Sequence, residues 1–128
     1  MILLDTHVLV WWQREPRKLS RAAASAIRRA RTSGLAISAI TPVELAGLIN
    51  HGRIKTATTL EATLRQFVEG LEVLPVTAEI AISTSNFPLD FPADPMDRII
   101  AATARAEGIP LVTADKRIQR SPLLKTVW

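Results

Sequence analysis

The stretch Asp94-Pro95-Met96-Asp97-Arg98-Ile99-Ile100-Ala101-Ala102-Thr103-Ala104 opens with two carboxylates and then becomes apolar and small. This pattern predicts a helix with Asp94 as its N-cap and Pro95 at its first position. Asp97 then lies in the first turn, where its negative charge meets the positive end of the helix dipole. Capping alone would account for both acids. The small residues after them would allow this helix to lie close to a sheet.

Strand and helix patterns alternate along the whole chain. Strands are predicted at Ile2–Leu4, Leu35–Ser38, Leu71–Val76 and Pro110–Thr113, with a further candidate at Lys125–Trp128. Helices are predicted after Asp5, from Ser20 to about Thr32, from Thr41, from Thr59 to Glu69, around Glu79–Ile82, and from Asp94 to Gly108. Such alternation indicates an α/β sandwich in which helices flank a mainly parallel central sheet. With 128 residues and 48% hydrophobic content, we expect one domain spanning residues 1–128.

Acidic residues recur where the predicted strands end or the helices begin. Asp5 and Asp115 each follow a strand, and Glu44, Asp94 and Asp97 lie near helix starts. In an open parallel sheet these positions share the carboxyl edge, where ligand sites form. Each acid also has an ordinary explanation as a turn residue, a cap or part of a capping box. Five on one edge indicate a shared site, because clustered carboxylates repel and need a cation to stay ionised.

The chemistry of such a site follows from its oxygen ligands. Carboxylates without cysteine or histidine favour Mg²⁺ or Mn²⁺ over zinc or copper. These metals serve phosphoester hydrolysis, in which they polarise the phosphate and make a water more acidic. No glycine-rich phosphate loop is present, so an NTPase is not indicated.

The charge balance outside the acids is basic. The chain carries 16 Lys and Arg against 12 Asp and Glu, a net charge of +4. A helix with Arg28, Arg29 and Arg31 dominates the basic segment between Arg14 and Arg31. This face either binds a polyanion such as RNA through phosphate contacts or is a solvated helix surface.

Several protein classes are disfavoured. The chain has no cysteine, and its two histidines, His7 and His51, lack zinc-binding spacing. No apolar run approaches the roughly 20 residues needed to span a bilayer, and no secretory signal is evident at the start. We therefore expect a cytoplasmic protein that does not associate with membranes.

The chain as a whole resembles PIN-domain ribonucleases, and more narrowly the VapC-like toxins of bacterial type II toxin–antitoxin pairs. The resemblance rests on four segments in order: Leu3-Leu4-Asp5-Thr6-His7, Ile37-Ser38 to Glu44-Leu45, Asp94-Pro95-Met96-Asp97-Arg98 with the following Ile99 to Ala104, and Leu111-Val112-Thr113-Ala114-Asp115.

The resemblance implies a PIN-like three-layer fold and Mg²⁺- or Mn²⁺-dependent cleavage of single-stranded RNA regions, often in tRNA or rRNA. It makes Asp5, Glu44, Asp97 and Asp115 the metal-binding quartet. Asp94 is a further candidate, either as a water-mediated metal contact, a ligand or a cap. The resemblance also implies a homodimer that is inhibited by a small VapB-like antitoxin.

Several neighbouring residues have open roles. Thr113 and Thr6 are candidates to orient a water or a carboxylate at the site. His7 is either a phosphate contact or a structural residue, and Arg98 either pairs with a carboxylate or meets RNA.

Three other functions compete with this interpretation. A haloacid-dehalogenase-like phosphatase would need an acid two positions after Asp5, where His7 stands. A metal-independent ribonuclease would use His7 and His51 as acid and base and leave a cyclic phosphate. A catalytically silent PIN-like binding module would have no use for the four acids.

Overall fold

The computed structural model describes all residues from Met1 to Trp128 as alternating strands and helices. The strands are β1 (Ile2–Leu4), β2 (Leu35–Ser38), β3 (Glu72–Leu74), β4 (Leu111–Val112) and β5 (Thr126–Val127). The helices are α1 (Thr6–Arg14), α2 (Arg21–Ala30), α3 (Ile40–Asn50), α4 (Leu60–Val68), α5 (Ala78–Thr84), α6 (Pro95–Glu107) and α7 (Lys116–Gln119), with a 3₁₀ turn at Pro16–Lys18.

The five strands form one parallel sheet in the order β3-β2-β1-β4-β5. β1 lies at the centre and pairs Leu3 with Ala36 of β2 on one side and with Leu111 of β4 on the other. Because every strand runs the same way, all their carboxyl ends lie along one edge. The predicted α/β class with a parallel sheet is confirmed.

Alternate residues of the central strand face two separate cores. Ile2 and Leu4 pack into a cluster that α1, α2, α3 and α4 complete, whereas Leu3 packs into a second cluster completed by α5, α6 and α7. This is the period-two alternation of a strand buried on both faces. The result is the expected three-layer sandwich.

Helix α6, which contains the stretch from Asp97 to Ala104, lies against the sheet as its composition predicts. Asp94 caps α6 by accepting a hydrogen bond from the Met96 amide at 2.8 Å, and Gly108 ends the helix in the left-handed region at φ 64°. Ala101, Ala102 and Ala104 of α6 are at most 1% exposed. Their small side chains allow close approach to the sheet.

The helix predicted after Asp5 is α1, which begins at Thr6 with Asp5 as its N-cap. Two other local details were not anticipated. α3 begins at Ile40, one residue before Thr41, without a side-chain cap, so Thr41 and Glu44 do not form a capping box. The four-residue helix α7, capped by Asp115, was not predicted because it is too short to show a periodic pattern.

Candidate active site

The fold brings the five acids to the carboxyl edge of the sheet. Asp5 follows β1, Asp115 follows β4 after two residues, and Asp94 and Asp97 occupy the start of α6. Glu44 is the fifth residue of α3, so it begins the second turn rather than the first. These five positions come from distant parts of the chain and meet because each connection leaves the sheet at the same edge.

Asp5 is the most deeply buried of these acids, at 3% exposure. One carboxylate oxygen accepts a hydrogen bond from the Thr6 amide at 2.9 Å. The other accepts from the Thr113 hydroxyl at 2.7 Å. The Thr113 hydroxyl oxygen also accepts from the Asp115 amide at 3.1 Å, so one buried threonine joins the ends of β1 and β4.

Thr6 orients Glu44 rather than Asp5 with its hydroxyl group. The Thr6 hydroxyl donates to the Glu44 carboxylate at 2.7 Å and lies 3.0 Å from the Thr41 hydroxyl. Because Thr6 has a single hydroxyl proton, Thr41 donates to Thr6 in this arrangement. Thr41 is fully buried, and its part in this chain of hydrogen bonds was missed from the sequence. Its position could have suggested this role, because Thr41 is a hydroxyl residue shortly after the end of β2.

Asp97 differs from the other acids because its carboxyl group has neither a hydrogen-bond donor nor a cation as a partner. Burial, the largest cause, and the carboxylates of Asp5, Asp94, Glu44 and Asp115 together raise the pKa of Asp97 from 3.8 to about 7. Burial also raises the pKa of Glu44, against the hydrogen bond from Thr6, with Asp5 and Asp94 adding to the rise. The site is therefore short of positive charge.

Asp94 and Asp115 also act as helix N-caps. Asp115 accepts from the amides of Arg117 and Ile118 at 2.8 and 3.4 Å. The second oxygen of Asp115 lies 3.5 Å from the Arg117 guanidinium. Capping and membership of the acidic cluster are thus compatible for both residues.

The donor set fits a hard divalent cation in its chemistry, since it consists of carboxylate oxygens. As the side chains lie, no three of them form a closed set of ligands around one point. The feature that matches a cation is the unpartnered, half-buried Asp97 carboxyl among four other carboxylates. A cation at this edge would favour the ionised form of Asp97 and so offset the burial and the repulsion that raise its pKa.

His7 has a structural role. Its Nε2 accepts a hydrogen bond from the Ala114 amide at 3.0 Å, and its Nδ1 lies 3.6 Å from Asp5. The ring also packs edge-on against Trp11 at 5.0 Å. Nδ1 of His51 instead hydrogen-bonds the Gly47 carbonyl at 2.6 Å. Each imidazole ring thus hydrogen-bonds a different backbone group, which does not support a histidine acid–base pair.

Arg98 does not pair with a site carboxylate and instead binds backbone carbonyl groups. Its guanidinium donates to the carbonyls of Pro92 at 2.8 Å and Thr84 at 3.1 Å. It also lies 6.0 Å from the stacked rings of Phe87 and Phe91. The pairing of Arg98 with a carboxylate was therefore wrong, whereas its contact with RNA stays a prediction; in the structure Arg98 ties the loop before α6 to that helix.

The basic trio Arg28, Arg29 and Arg31 is exposed but is not brought to the acids. The end of α2 leads into the start of β2, which lies at the amino edge of the parallel sheet. The acids occupy the opposite, carboxyl edge. RNA contact by this trio stays a prediction, and any such contact would lie away from the acidic cluster.

Comparison with known proteins identifies the class. Residues 2–122 match the PIN domain. The chain belongs to the PIN-domain family. It is 42% identical to Ribonuclease VapC22 of Mycobacterium tuberculosis over 99% of this chain and 98% of that protein, which places it among the VapC ribonucleases. Family membership excludes the phosphatase alternative.

Solved structures of the family share the whole fold. A VapBC complex from Salmonella typhimurium bound to DNA is 25% identical, with a TM-score of 0.73 over 98% of this chain and 97% of that chain. VapBC2 from Rickettsia felis, bound to a promoter DNA fragment, has a TM-score of 0.75 at 22% identity and the same coverage. None of the helices is long and apolar enough to cross a membrane.

Proposed function

We propose that this ribonuclease hydrolyses RNA phosphodiester bonds at the carboxyl edge of its sheet with Mg²⁺ or Mn²⁺ bound by Asp5, Glu44, Asp97 and Asp115. The observation that carries the proposal is the half-buried, unpartnered carboxyl of Asp97, which the four other carboxylates of the cluster all affect. An ionised carboxylate in this position destabilises the metal-free fold, and a bound cation would relieve that cost.

The residues of the chain would divide the work. Asp5 is held in one orientation by Thr113 and by the Thr6 amide, and Glu44 is held by the Thr6 hydroxyl. Asp97 supplies the free carboxylate, and Asp94 keeps its capping role while adding negative charge. A divalent cation, when bound, supplies polarisation of the phosphoryl oxygen and a more acidic water. No side chain of the cluster needs to act as a nucleophile.

The biological setting follows from the relatives. VapBC complexes belong to a family of toxin–antitoxin systems, so we propose that this chain is the toxin of such a pair and that a small VapB-like antitoxin restrains it. We further propose that the whole chain acts as one PIN domain, forms a homodimer and cleaves cytoplasmic RNA of the tRNA or rRNA class. A catalytically silent binding module remains the competing function, but it would not need the acidic cluster.

The test is cleavage of a structured RNA such as total tRNA, with and without metal. We expect cleavage in Mg²⁺ or Mn²⁺, none in EDTA, and a loss of about 100-fold or more for Asp97→Asn, the scale of losing one preorganised electrostatic group. Asp90→Asn, which neutralises an exposed acid outside the cluster, is the control.

The cleaved ends separate the mechanisms. Hydrolysis assisted by metal should leave a 3′-hydroxyl, whereas a histidine mechanism should leave a cyclic phosphate. Cleavage that persists in EDTA, or a folded Asp97→Asn variant with full activity, would contradict the proposal.

A further inference from the structure

A groove of about 600 Å³ opens directly beside the acidic cluster. It runs along α3, past the turn that follows this helix, and is bounded on the other side by the start of α6. Its lining residues are Val43, Glu44, Gly47, Leu48, His51, Arg53 and Met96. Glu44 belongs both to the groove and to the cluster, so a strand of RNA lying across the cluster could continue into the groove.

Gly47 is the feature of this groove that packing does not explain. It lies inside α3, where a glycine is less favourable than an alanine because of its backbone freedom. A Cβ added at Gly47 would meet no atom within 4 Å, so no close contact requires the glycine. Its effect is to leave the wall of the groove open to an approaching ligand.

The two ends of the groove differ in charge. Glu44 lies at one end, and the cationic Arg53 lies at the other. His51, the C-cap of α3 two residues before Arg53, follows Glu44 by seven positions, a rise of about 10 Å. Arg53 is exposed and its side chain has no ion pair, in contrast to Arg117, which lies beside Asp115. A free cation next to an acidic site suits an anionic substrate that spans both.

The wall between these ends is apolar. Val43 is 57% exposed although it is a large apolar residue in a helix, and Met96 and Leu48 are half-buried beside it. An apolar surface of this kind can support the face of a nucleobase, while the cation meets a phosphate. The volume lies within the range of sites that hold a small ligand.

We propose that this groove binds the nucleotide adjacent to the scissile phosphate, with Arg53 at its backbone phosphate and its base against Val43 and Met96, over Gly47. The inference rests on the proposed ribonuclease function and names a substrate-binding subsite of that same site. It assigns Arg53 and Gly47 to substrate binding, not to the chemical step.

The test compares RNA binding and cleavage for Arg53→Ala, Gly47→Leu and the control Arg105→Ala. Arg105 is an exposed arginine in the last turn of α6, eight residues beyond Asp97 and therefore about 12 Å further along that helix. Binding is measured in EDTA by fluorescence anisotropy with a labelled single-stranded RNA of about ten nucleotides, a typical site size.

Arg53→Ala should weaken binding roughly five- to tenfold and lower the slope of log affinity against log salt by about 0.7, the contribution of one phosphate contact to a single strand. In cleavage assays it should raise KM while kcat stays the same, because the residue does not touch the reacting atoms. Gly47→Leu should weaken binding about tenfold without lowering the melting temperature, since leucine is a good helix former. Arg105→Ala should change neither the RNA affinity nor its salt dependence.

Wild-type affinity and salt slope in both variants would overturn the subsite, provided that the wild-type protein cleaves RNA. If Gly47→Leu unfolds, Arg53→Ala and Gly47→Gln still decide the matter. Failure of the wild-type protein to cleave any RNA in Mg²⁺ or Mn²⁺ would instead overturn the proposed function.

Discussion

Replacing Asp97 by asparagine should stabilise the metal-free protein even though it removes activity. In the folded state burial and four neighbouring carboxylates raise the pKa of Asp97 from 3.8 to about 7. Between these values the folded state binds more protons than the unfolded state, so the free energy of unfolding falls as the pH rises. Above the folded pKa the full cost of the charge is present. Asparagine removes the charge and keeps the shape.

The size of the effect follows from the shift. Roughly three pKa units correspond to about 4 kcal/mol, and solvent screening of this half-buried group reduces the expected gain to about 2 kcal/mol near pH 8. Near pH 5 the wild-type Asp97 is already protonated in the fold, and the gain should drop below about 1 kcal/mol.

The assay is urea denaturation in EDTA at both pH values, with Asp90→Asn as the matched control. Asp90→Asn should change the free energy of unfolding by less than about 0.5 kcal/mol, as expected for an exposed position. If Asp97→Asn gives no gain at the higher pH, or the same gain at both pH values, the raised pKa of Asp97 is refuted.

Adding Mg²⁺ or Mn²⁺ at 100 times its dissociation constant should raise the free energy of unfolding of the wild type by about 2.7 kcal/mol, and that of Asp97→Asn far less, as thermal melts would show. Thr113→Val should lower the free energy of unfolding by about 1–3 kcal/mol in urea denaturation, because Asp5 loses a buried donor. Thr113→Ser keeps the donor and should lower it less. Equal losses in the two variants would refute the role of the hydroxyl. Changing Arg28, Arg29 and Arg31 to Ala should weaken RNA binding and flatten its salt dependence without changing kcat, since they lie at the opposite edge; an unchanged salt slope would identify a solvated surface.

Local sequence signals predicted the elements well where the cause of an element is itself local. Ser20 and Asp94 cap the helices predicted to begin there, the helix predicted from Thr59 begins with Thr59 as its N-cap, and Gly108 ends α6. The boundaries were less accurate. β3 is Glu72–Leu74 rather than the longer stretch predicted, because strand length depends on the neighbouring strand available for pairing.

The contacts within the acidic cluster could be anticipated only in part. Topology placed the acids on one edge, since all strands of a parallel sheet end together. It did not show that the Thr6 hydroxyl would hold Glu44 through a chain from Thr41, or that Thr113 would join Asp5 to Asp115. These contacts depend on side-chain orientations that only the packed structure fixes.

The sequence by itself determined the α/β alternation, the main helix caps, the set of acids and the resemblance to PIN-domain ribonucleases, because each depends on residue type and spacing along the chain. The tertiary structure decided which acid lacks a partner, that Arg98 is bound to backbone carbonyls, and that the basic trio of α2 lies opposite the cluster while Arg53 lies beside it. Such facts depend on distances between segments remote in sequence. Asp94 and Asp97, three residues apart, show the difference: both start the same helix, but only the fold leaves one as a cap and the other as an uncompensated charge.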